Sequence, residues 1–209
     1  LFRSENCGAY LAAIRSIGRT EEYFYMPVFE SAAMIPPQTR REALTEVRAQ
    51  LDTVSGSILN IRVGGNDLSH AFGLRRPANR TIYDLRPVAD ILIDIVAAFG
   101  TQYVVSGPVW EYYSGEGWEE GLRREMELDL LNGFTGKTVI HPNQIPVVNE
   151  MLRVSQRDYA DARAILNWDT GSGSLVSASE DGGRMNEYNT HSRWARRIVL
   201  RAERYGVRA

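Results

Sequence analysis

Apolar residues occur in two patterns that alternate along most of this chain. Short, largely apolar runs at residues 23–29, 57–63, 103–105 and 137–140 predict buried strands. Apolar residues at helical spacing predict helices at residues 8–17, 39–52, 86–99 and 119–132. Regular alternation of strand and helix is typical of parallel βα units, so the pattern predicts an α/β fold.

The pattern changes after the fourth predicted strand. Residues 145–151 and 158–168 have helical spacing, residues 171–174 (GSGS) are typical of a flexible linker, and residues 185–205 predict a final helix. We therefore expect a barrel-type α/β domain over residues 1–168. Residues 169–209 are expected to form a linker and a C-terminal helical segment that acts as a lid or docking helix.

Two acidic residues follow the first two predicted strands. Glu30 follows the aromatic run 23–29, and Asp67 follows residues 58–66. The carboxyl ends of parallel strands share one rim, so both side chains are expected there. One or two carboxylates suffice for Mg²⁺, which leaves its other positions to water and substrate oxygens. Singly, Glu30 is more typical of a solvated strand end and Asp67 of a helix cap, but together they predict a metal site.

The composition is that of an ordinary globular domain, with 209 residues, 44% hydrophobic and 24% charged. The formal net charge of -2 lacks the basic excess of a nucleic-acid-binding protein, so no nucleic-acid partner is expected. No apolar run approaches the ~20 residues that cross a bilayer, and no signal-peptide pattern opens the chain. The single cysteine, Cys7, fits a reducing compartment, so we expect a cytoplasmic protein without membrane association.

Three motifs resemble those of one enzyme superfamily and occur in its order. Residues 27–31 (PVFES), 64–68 (GGNDL) and 136–145 (GKTVIHPNQI) resemble the fifth-strand motif, the sixth-strand metal motif and the last-strand motif of the citrate lyase beta-subunit-like enzymes. Those enzymes belong to the HpcH/HpaI aldolase and citrate lyase superfamily. The aromatic strands and the loop at residues 73–80 look most similar to the divergent carbon–carbon bond lyases associated with tellurite-resistance and stress operons.

This resemblance implies a fold and a chemistry. It implies a TIM barrel of the (β/α)8 type, of which this chain resembles the C-terminal half, strands 5 to 8, plus a C-terminal helical extension. It implies Mg²⁺, or Mn²⁺, held by Glu30 and Asp67. The implied activity is that of a carbon–carbon lyase or aldolase acting on an oxo acid or on an acyl-CoA thioester, with a metal-stabilised enolate.

The same resemblance implies further site residues. Residues 183–187 (GRMNE) resemble the segment that brings an acid to a neighbouring subunit's active site in acyl-CoA-dependent relatives. Glu187, in place of the usual Asp, would be that catalytic acid. Substrate binding is expected from four residues around the metal motif: Gly65, Asn66, Arg75 and Arg76. The two arginines fit a phosphate or carboxylate, and they fit a solvated loop equally well.

Two features of the chain depart from the superfamily. Asn66 stands where a second acid is usual, and its amide contributes no charge. The first four strands, with the arginine that grips the substrate carboxylate, have no counterpart. Because exposed edges and half a core must be covered, we expect a longer parent chain, a partner that supplies the missing half-barrel, or a homo-oligomer.

Two other functions stay open at this point. A half-barrel without the substrate arginine also fits a non-catalytic interaction or regulatory module. Barrels that hold Mg²⁺ with similar acids include phosphoenolpyruvate-type phosphotransferases and mutases. Nucleotide hydrolysis is disfavoured, because Gly64 and Gly65 occur without the P-loop Lys-Ser/Thr and without the dinucleotide spacing.

Overall fold

The computed structural model describes residues 7–16, 23–168, 176–179 and 182–208. The chain divides into two compact units, Leu1–Val147 and Val148–Ala209. This division precedes the predicted boundary between residues 168 and 169, and the domain boundary of the protein stays a prediction. The predicted linker at residues 171–174 lies outside the described residues.

A parallel sheet organises the described part of the first unit. Its strands follow the order β1-β2-β3-β4, which is also their order in the chain. The elements of this unit are α1 Cys7–Ser16, β1 Val28–Phe29, α2 Pro37–Asp52, β2 Ile61–Val63, α3 Gly65–Ala71, α4 Arg86–Phe99, β3 Val105–Gly107, α5 Trp118–Leu131 and β4 Gly136–Lys137.

The helices of this unit agree closely with the apolar spacing. α4 has the bounds that the spacing predicts, and Gly100 is its C-cap. α2 begins at Pro37 rather than at a Thr39 cap, which corrects that detail. Proline favours a helix start because its φ angle is already helical and it has no N–H to leave unpaired. Thr39 lies inside the first turn, where its hydroxyl donates to Pro36 O.

The first strand is shorter than the apolar run that predicted it. Of residues 23–29, only Val28 and Phe29 form β1, and Tyr25 makes an isolated bridge to Ile58. The run does not continue as a strand because Pro27 has no N–H to donate to the neighbouring strand.

The third and fourth strands also differ from the predicted ones. Tyr103 belongs to the turn after α4, where its hydroxyl donates to Asp52 Oδ1 at 2.5 Å, so β3 begins later, at Val105. β4 ends at Lys137 rather than at residue 140. The backbone N–H of Ile140 donates instead to the side-chain oxygen of Gln144, which directs the chain into the next helix.

One face of the sheet forms the core. The register pairs Val28 with Arg62 and Phe29 with Val63. Because side chains alternate along a strand, Phe29, Ile61 and Val63 lie on the same face. These three residues belong to one apolar cluster with side chains of α2 and α4. Arg62 and Val28 therefore lie on the other face.

A buried charged network joins α5 to β4 and to the loop after α3. Lys137 Nζ lies 2.8 Å from Glu125 Oε1 and 2.7 Å from Asp129 Oδ2. Arg76 Nε lies 3.0 Å from Glu125 Oε2, and the hydroxyl of Tyr83 donates to Asp129 Oδ1 at 2.6 Å. The two cations balance the two carboxylates, which is the condition for burying charges without a large penalty.

Burial and the charges of the network shift its pKa values: burial raises the pKa of Asp129, against the attraction of Lys137. Desolvation lowers the pKa of Lys137, but the attraction of Asp129 and Glu125 outweighs it, so the pKa is raised and the ammonium keeps its charge. Burial and the adjacent Asp129 raise the pKa of Tyr83, so the phenol stays protonated and remains a donor.

The second unit is built on a helical pair. α6 Gln144–Met151 crosses the division between the units, and the elements that follow are β5 Val154–Ser155, α7 Gln156–Leu166, β6 Val176–Ala178, β7 Met185–Glu187, α8 Tyr188–Tyr205 and β8 Val207–Arg208. β5 pairs with β8 in parallel, and β6 pairs with β7 in antiparallel orientation.

α7 packs on α8. α7 therefore belongs to the second unit, although the sequence assigns it to the barrel-type domain. Ala162 and Ile165 of α7 share a cluster with Ala195 and Ile198 of α8. α8 begins at Tyr188, later than predicted, because the three preceding residues form β7. Among the helices of the described residues, none has both the length and the apolar composition needed to cross a membrane.

Replacing Lys137 with Met tests the buried network. The substitution keeps most of the side-chain volume but leaves Asp129 without its cation and Glu125 with Arg76 alone. We expect the free energy of unfolding to fall by about 3–5 kcal/mol, the usual cost of an uncompensated buried charge, as measured by urea unfolding at neutral pH.

Arg123→Met is the matched control for this test. Arg123 also pairs with a carboxylate on α5, that of Glu119, but both side chains are partly exposed. Its loss should change the free energy of unfolding by less than about 1 kcal/mol. Similar losses in the two variants would contradict the role assigned to Lys137.

Candidate functional site

The two acids singled out from the sequence lie at one rim of the sheet. Glu30 directly follows β1, and Asp67 lies in the first turn of α3, which begins after β2. β1 and β2 are parallel neighbours, and Gly64 N donates to Phe29 O at 3.1 Å. This hydrogen bond holds the end of β2 beside the end of β1, so the register brings the segments of both acids together.

Gly64 separates the two carboxylates. A Cβ atom at this position would collide with the Glu30 carboxylate, would lie 2.5 Å from Glu30 Cβ, and would lie 3.2 Å from Asp67 Oδ2. Both acidic side chains therefore approach the same point on the backbone. The φ angle of Gly64 is -84°, so the requirement for glycine comes from this close approach and not from a left-handed conformation.

The electrostatics of Glu30 agree with this proximity. Partial burial raises the pKa of Glu30, and the neighbouring negative charge of Asp67 raises it further. Arg62 acts in the opposite direction and lowers it. The two carboxylates repel each other at this rim, and a bound cation would relieve that repulsion.

The donor set fits a hard divalent ion. Glu30 and Asp67 supply carboxylate oxygens, the ligand type that Mg²⁺ and Mn²⁺ prefer, and two acids leave positions for water and substrate. Among the described residues, no group of three or more His, Cys, Asp or Glu side chains is placed to hold a metal. The arrangement thus fits a metal site with few protein ligands rather than a closed cage.

Gly65 and Asn66 are the first two residues of α3 and directly precede Asp67. A Cβ atom at Gly65 would lie 2.6 Å from both Ile82 Cδ1 and Pro108 Cβ, so this glycine serves the packing of α3. The amide oxygen of Asn66 accepts a hydrogen bond from Arg76 Nη1 at 3.4 Å. Gly65 therefore packs closely against these side chains, and the substrate-binding roles of Gly65 and Asn66 stay predictions.

Arg76 has a different role from the one expected from the sequence. Its side chain is 1% exposed, pairs with Glu125, donates to Val109 O at 2.6 Å, and lies 5.1 Å from the Trp110 ring centroid. These contacts occupy the guanidinium inside the protein, so Arg76 supports the site from behind and does not reach a substrate. Arg75 is 78% exposed and pairs with Glu111 at 3.0 Å.

Sequence reasoning missed three polar residues on the open face of the sheet. Arg62 lies on the face opposite the core, and its register partner Ser106 lies on the same face. The guanidinium reaches past Ser106 to Thr138, where Arg62 Nε lies 3.5 Å from Oγ1. The signal was present in the sequence Ile-Arg-Val, because an arginine between two core residues of a strand must face away from the core.

Glu187 lies in the second unit, as the last residue of β7 and the N-cap of α8. Its backbone N–H donates to His191 Nδ1 at 3.0 Å. Arg184 anchors the preceding turn, with Nε 2.5 Å from Asp161 Oδ2 and Nη2 2.8 Å from Asp158 Oδ1. The segment that carries Glu187 is thus held to α7, and the catalytic role of Glu187 stays a prediction.

A comparison with known proteins shows the family. A family model described as C-C bond lyase of the TIM-barrel fold matches residues 1–207. The chain is 38% identical to the L-malyl-CoA/beta-methylmalyl-CoA lyase of Cereibacter sphaeroides over 74 residues, which is 34% of this chain and 22% of that protein. These matches confirm the superfamily that the three sequence motifs predict.

Solved structures show the same fold. CitE from Mycobacterium tuberculosis, in complex with magnesium, acetoacetate and coenzyme A, is similar at a TM-score of 0.60 and 23% identity, over 86% of this chain and 61% of that one. A citrate lyase from Burkholderia xenovorans is similar at a TM-score of 0.68 and 17% identity, over 100% of this chain and 63% of that one. The predicted TIM-barrel class is confirmed, and the chain spans less than two thirds of the length of these relatives.

Gly64→Ala tests the close approach at the rim. The added methyl group must displace Glu30, whose Cβ would lie 2.5 Å away, so we expect the free energy of unfolding to fall by about 1–3 kcal/mol. Gly56→Ala is the control, because a Cβ atom there meets nothing within 4 Å. Chemical denaturation of both variants gives the comparison, and equal stabilities would exclude crowding at Gly64.

The pKa of Glu30 gives a second test. Since burial and Asp67 raise this pKa, the contribution of Glu30 to the stability of the metal-free protein is present below its unfolded-state pKa and is lost as the pH rises through its folded-state pKa. Asp67→Asn should lower the pKa of Glu30 and reduce that loss. NMR titration of labelled Glu side-chain carbons measures the pKa, and an unchanged value in Asp67→Asn would show that the carboxylates do not interact.

Proposed function

The chain belongs to the carbon–carbon bond lyases of the TIM-barrel fold, and from this premise we propose that it is a Mg²⁺-dependent carbon–carbon lyase or aldolase whose ion is held by Glu30 and Asp67. One observation carries the proposal. The carboxylates of these residues approach the same glycine, Gly64, at the carboxyl ends of neighbouring parallel strands. Active sites of TIM barrels lie at that end of the strands.

The protein residues set the charge and the geometry of this site. Glu30 and Asp67 together carry two negative charges, which match one divalent ion, and Mn²⁺ accepts the same oxygen ligands as Mg²⁺. When bound, such an ion supplies a Lewis acid that stabilises the enolate formed as the adjacent carbon–carbon bond breaks or forms. Glu30 must lose its proton to act as a ligand, and Arg62 favours that ionised form.

The substrate is proposed to be an oxo acid or its acyl-CoA thioester. The CitE structure from Mycobacterium tuberculosis contains acetoacetate and coenzyme A, and the similar lyase of Cereibacter sphaeroides acts on malyl-CoA thioesters. Glu187 is the proposed acid for proton transfer, from a segment that reaches the site of a neighbouring copy. A carboxylic acid is a suitable donor where its pKa lies near the working pH.

A further protein surface is proposed to complete the barrel. Phe24 is 64% exposed, Met26 is 46% exposed, and Val104 on the open face is 47% exposed. Apolar side chains at a sheet edge are a liability unless another surface covers them. We propose that the cover is the remaining half-barrel, supplied by a longer chain, by a second copy or by a partner protein.

Titration calorimetry with Mg²⁺ and then oxalate tests the proposed function. Oxalate is a planar chelator that resembles an oxo-acid enolate. We expect the native protein to bind Mg²⁺ and to bind oxalate only when Mg²⁺ is present. Glu30→Gln and Asp67→Asn should each weaken Mg²⁺ binding at least roughly tenfold, because each removes one of two anionic ligands.

Asp90→Asn is the matched control for lost negative charge. Asp90 lies on α4, where its half-exposed carboxylate pairs with Arg86. This variant should bind Mg²⁺ and oxalate as the native protein does. Absent Mg²⁺ binding, or equal binding in all variants, would overturn the lyase proposal and would favour a non-catalytic half-barrel module.

A further inference from the structure

The first turn of α3, which carries the second acid of the candidate site, packs against three segments from later in the chain. A Cβ atom at Gly65 would lie 2.6 Å from Ile82 Cδ1 and 2.6 Å from Pro108 Cβ, so the turn contacts both residues directly. Asn66 Oδ1 accepts a hydrogen bond from Arg76 Nη1 at 3.4 Å. The place of the acid therefore depends on what fixes these segments.

One buried ion pair holds all three segments. Arg76 Nη2 donates to Glu125 Oε1 at 3.2 Å, and the two side chains are 1% and 0% exposed. The same guanidinium nitrogen donates to Val109 O at 2.6 Å, directly after Pro108 in the chain. The other oxygen of Glu125, Oε2, accepts a hydrogen bond from Ile82 N at 2.8 Å. The segments around the first turn of α3 therefore share one anchor.

Lys137 fastens this anchor to the sheet. Its ammonium lies 2.8 Å from Glu125 Oε1 and 2.7 Å from Asp129 Oδ2, and its side chain is 0% exposed. Both acids belong to α5, whereas Lys137 belongs to β4. The last-strand motif, residues 136–145, is thus linked to the metal motif, residues 64–68, through the buried ion pair.

Arginine is the residue type that can make these contacts together. A guanidinium carries five N–H donors in a planar fork, whereas an ammonium is a compact point charge. Arg76 directs Nη1 to Asn66 and Nη2 to Val109 O and Glu125 Oε1. A lysine at this position could keep the ion pair with Glu125 but would lose the contact with Asn66.

We propose that Arg76, held by Glu125 and Lys137, is a positioning residue that fixes the first turn of α3 and keeps the Asp67 carboxylate beside that of Glu30. Arg76 acts through this turn and contacts neither the ion nor the substrate. The inference rests on the proposed function in one respect, that the positioned carboxylate is a metal ligand. Groups that orient a ligand from behind typically contribute roughly 10- to 100-fold to metal affinity.

Arg76→Lys tests the positioning role. The substitution keeps a cation beside Glu125 but removes the donor to Asn66. We expect the Mg²⁺ affinity of the full chain to fall roughly tenfold, as measured by titration calorimetry.

Two controls separate positioning from stability. Arg124→Lys is the matched substitution, because Arg124 also joins α5 to the loop after α3, through Asn79 O at 3.0 Å, but from an exposed position. It should bind Mg²⁺ as the native chain does. The second control is the native chain in enough urea to lower its free energy of unfolding to that of Arg76→Lys, and it should keep its Mg²⁺ affinity.

Amide hydrogen exchange of the metal-free chain tests the positioning without the ion. Leu68 N donates to Gly64 O at 3.0 Å and closes the first turn of α3. In Arg76→Lys, exchange at Leu68 should accelerate at least roughly tenfold more than exchange at Leu92, a buried residue of α4, because the turn opens locally.

Asn66→Leu removes the same contact from the other side and leaves the buried ion pair intact, so it tests the role even where Arg76→Lys does not fold. It should also accelerate exchange at Leu68 more than at Leu92. Circular dichroism verifies that each variant is folded.

Three results would overturn the positioning role: an unchanged Mg²⁺ affinity in Arg76→Lys, an equal loss of affinity in one of the two controls, or equal acceleration of exchange at Leu68 and Leu92. A native chain that binds no Mg²⁺, with exchange at Leu68 still selectively faster in Arg76→Lys, would reject the metal site and keep the positioning of the turn by Arg76.

Discussion

The parallel pairing of β1 with β2 is the constraint on which the candidate site depends. This register sets Val28 beside Arg62 and Phe29 beside Val63, so the next positions, Glu30 and Gly64, meet at the rim. A slip of one residue would exchange the faces of every side chain on the strand and would bury Arg62 in the apolar core. The same register that completes the core therefore places the acids and the arginine on the open side.

Charged side chains are balanced in pairs on one side of the sheet and are not balanced on the other. Behind the sheet, Lys137 and Arg76 neutralise Glu125 and Asp129 in a network that is closed to solvent. On the open side and at its rim, Glu30 and Asp67 repel each other, and Arg62 has no carboxylate partner among the residues that the structure describes. The balanced set stabilises the packing of α5 on the sheet, because Lys137 of β4 pairs with two carboxylates of α5. The two repelling carboxylates are the observation on which the proposed cation site rests.

The fold explains why Arg76 is buried and paired, whereas Arg62 lies on the face of the sheet opposite the core. Arg75 and Arg76 follow α3 in a loop, where Arg76 turns inward to Glu125 and Trp110. Arg62 belongs to a strand, whose alternation leaves no choice of face. The similar TIM-barrel structures are longer than this chain, which covers 61% and 63% of their lengths.

The sequence by itself determined the α/β class, the superfamily, the bounds of α4 and the positions of Glu30 and Asp67 after the first two strands, because apolar spacing and short motifs are local properties of the chain. Tertiary structure decided the rest. The strands are short because Pro27 interrupts the run before β1 and Tyr103 belongs to a turn. Arg76 is buried because it pairs with Glu125, which lies 49 residues away in the chain. A side chain's pairing depends on distant partners that the packing of helices on the sheet brings into reach, and no local pattern encodes that choice.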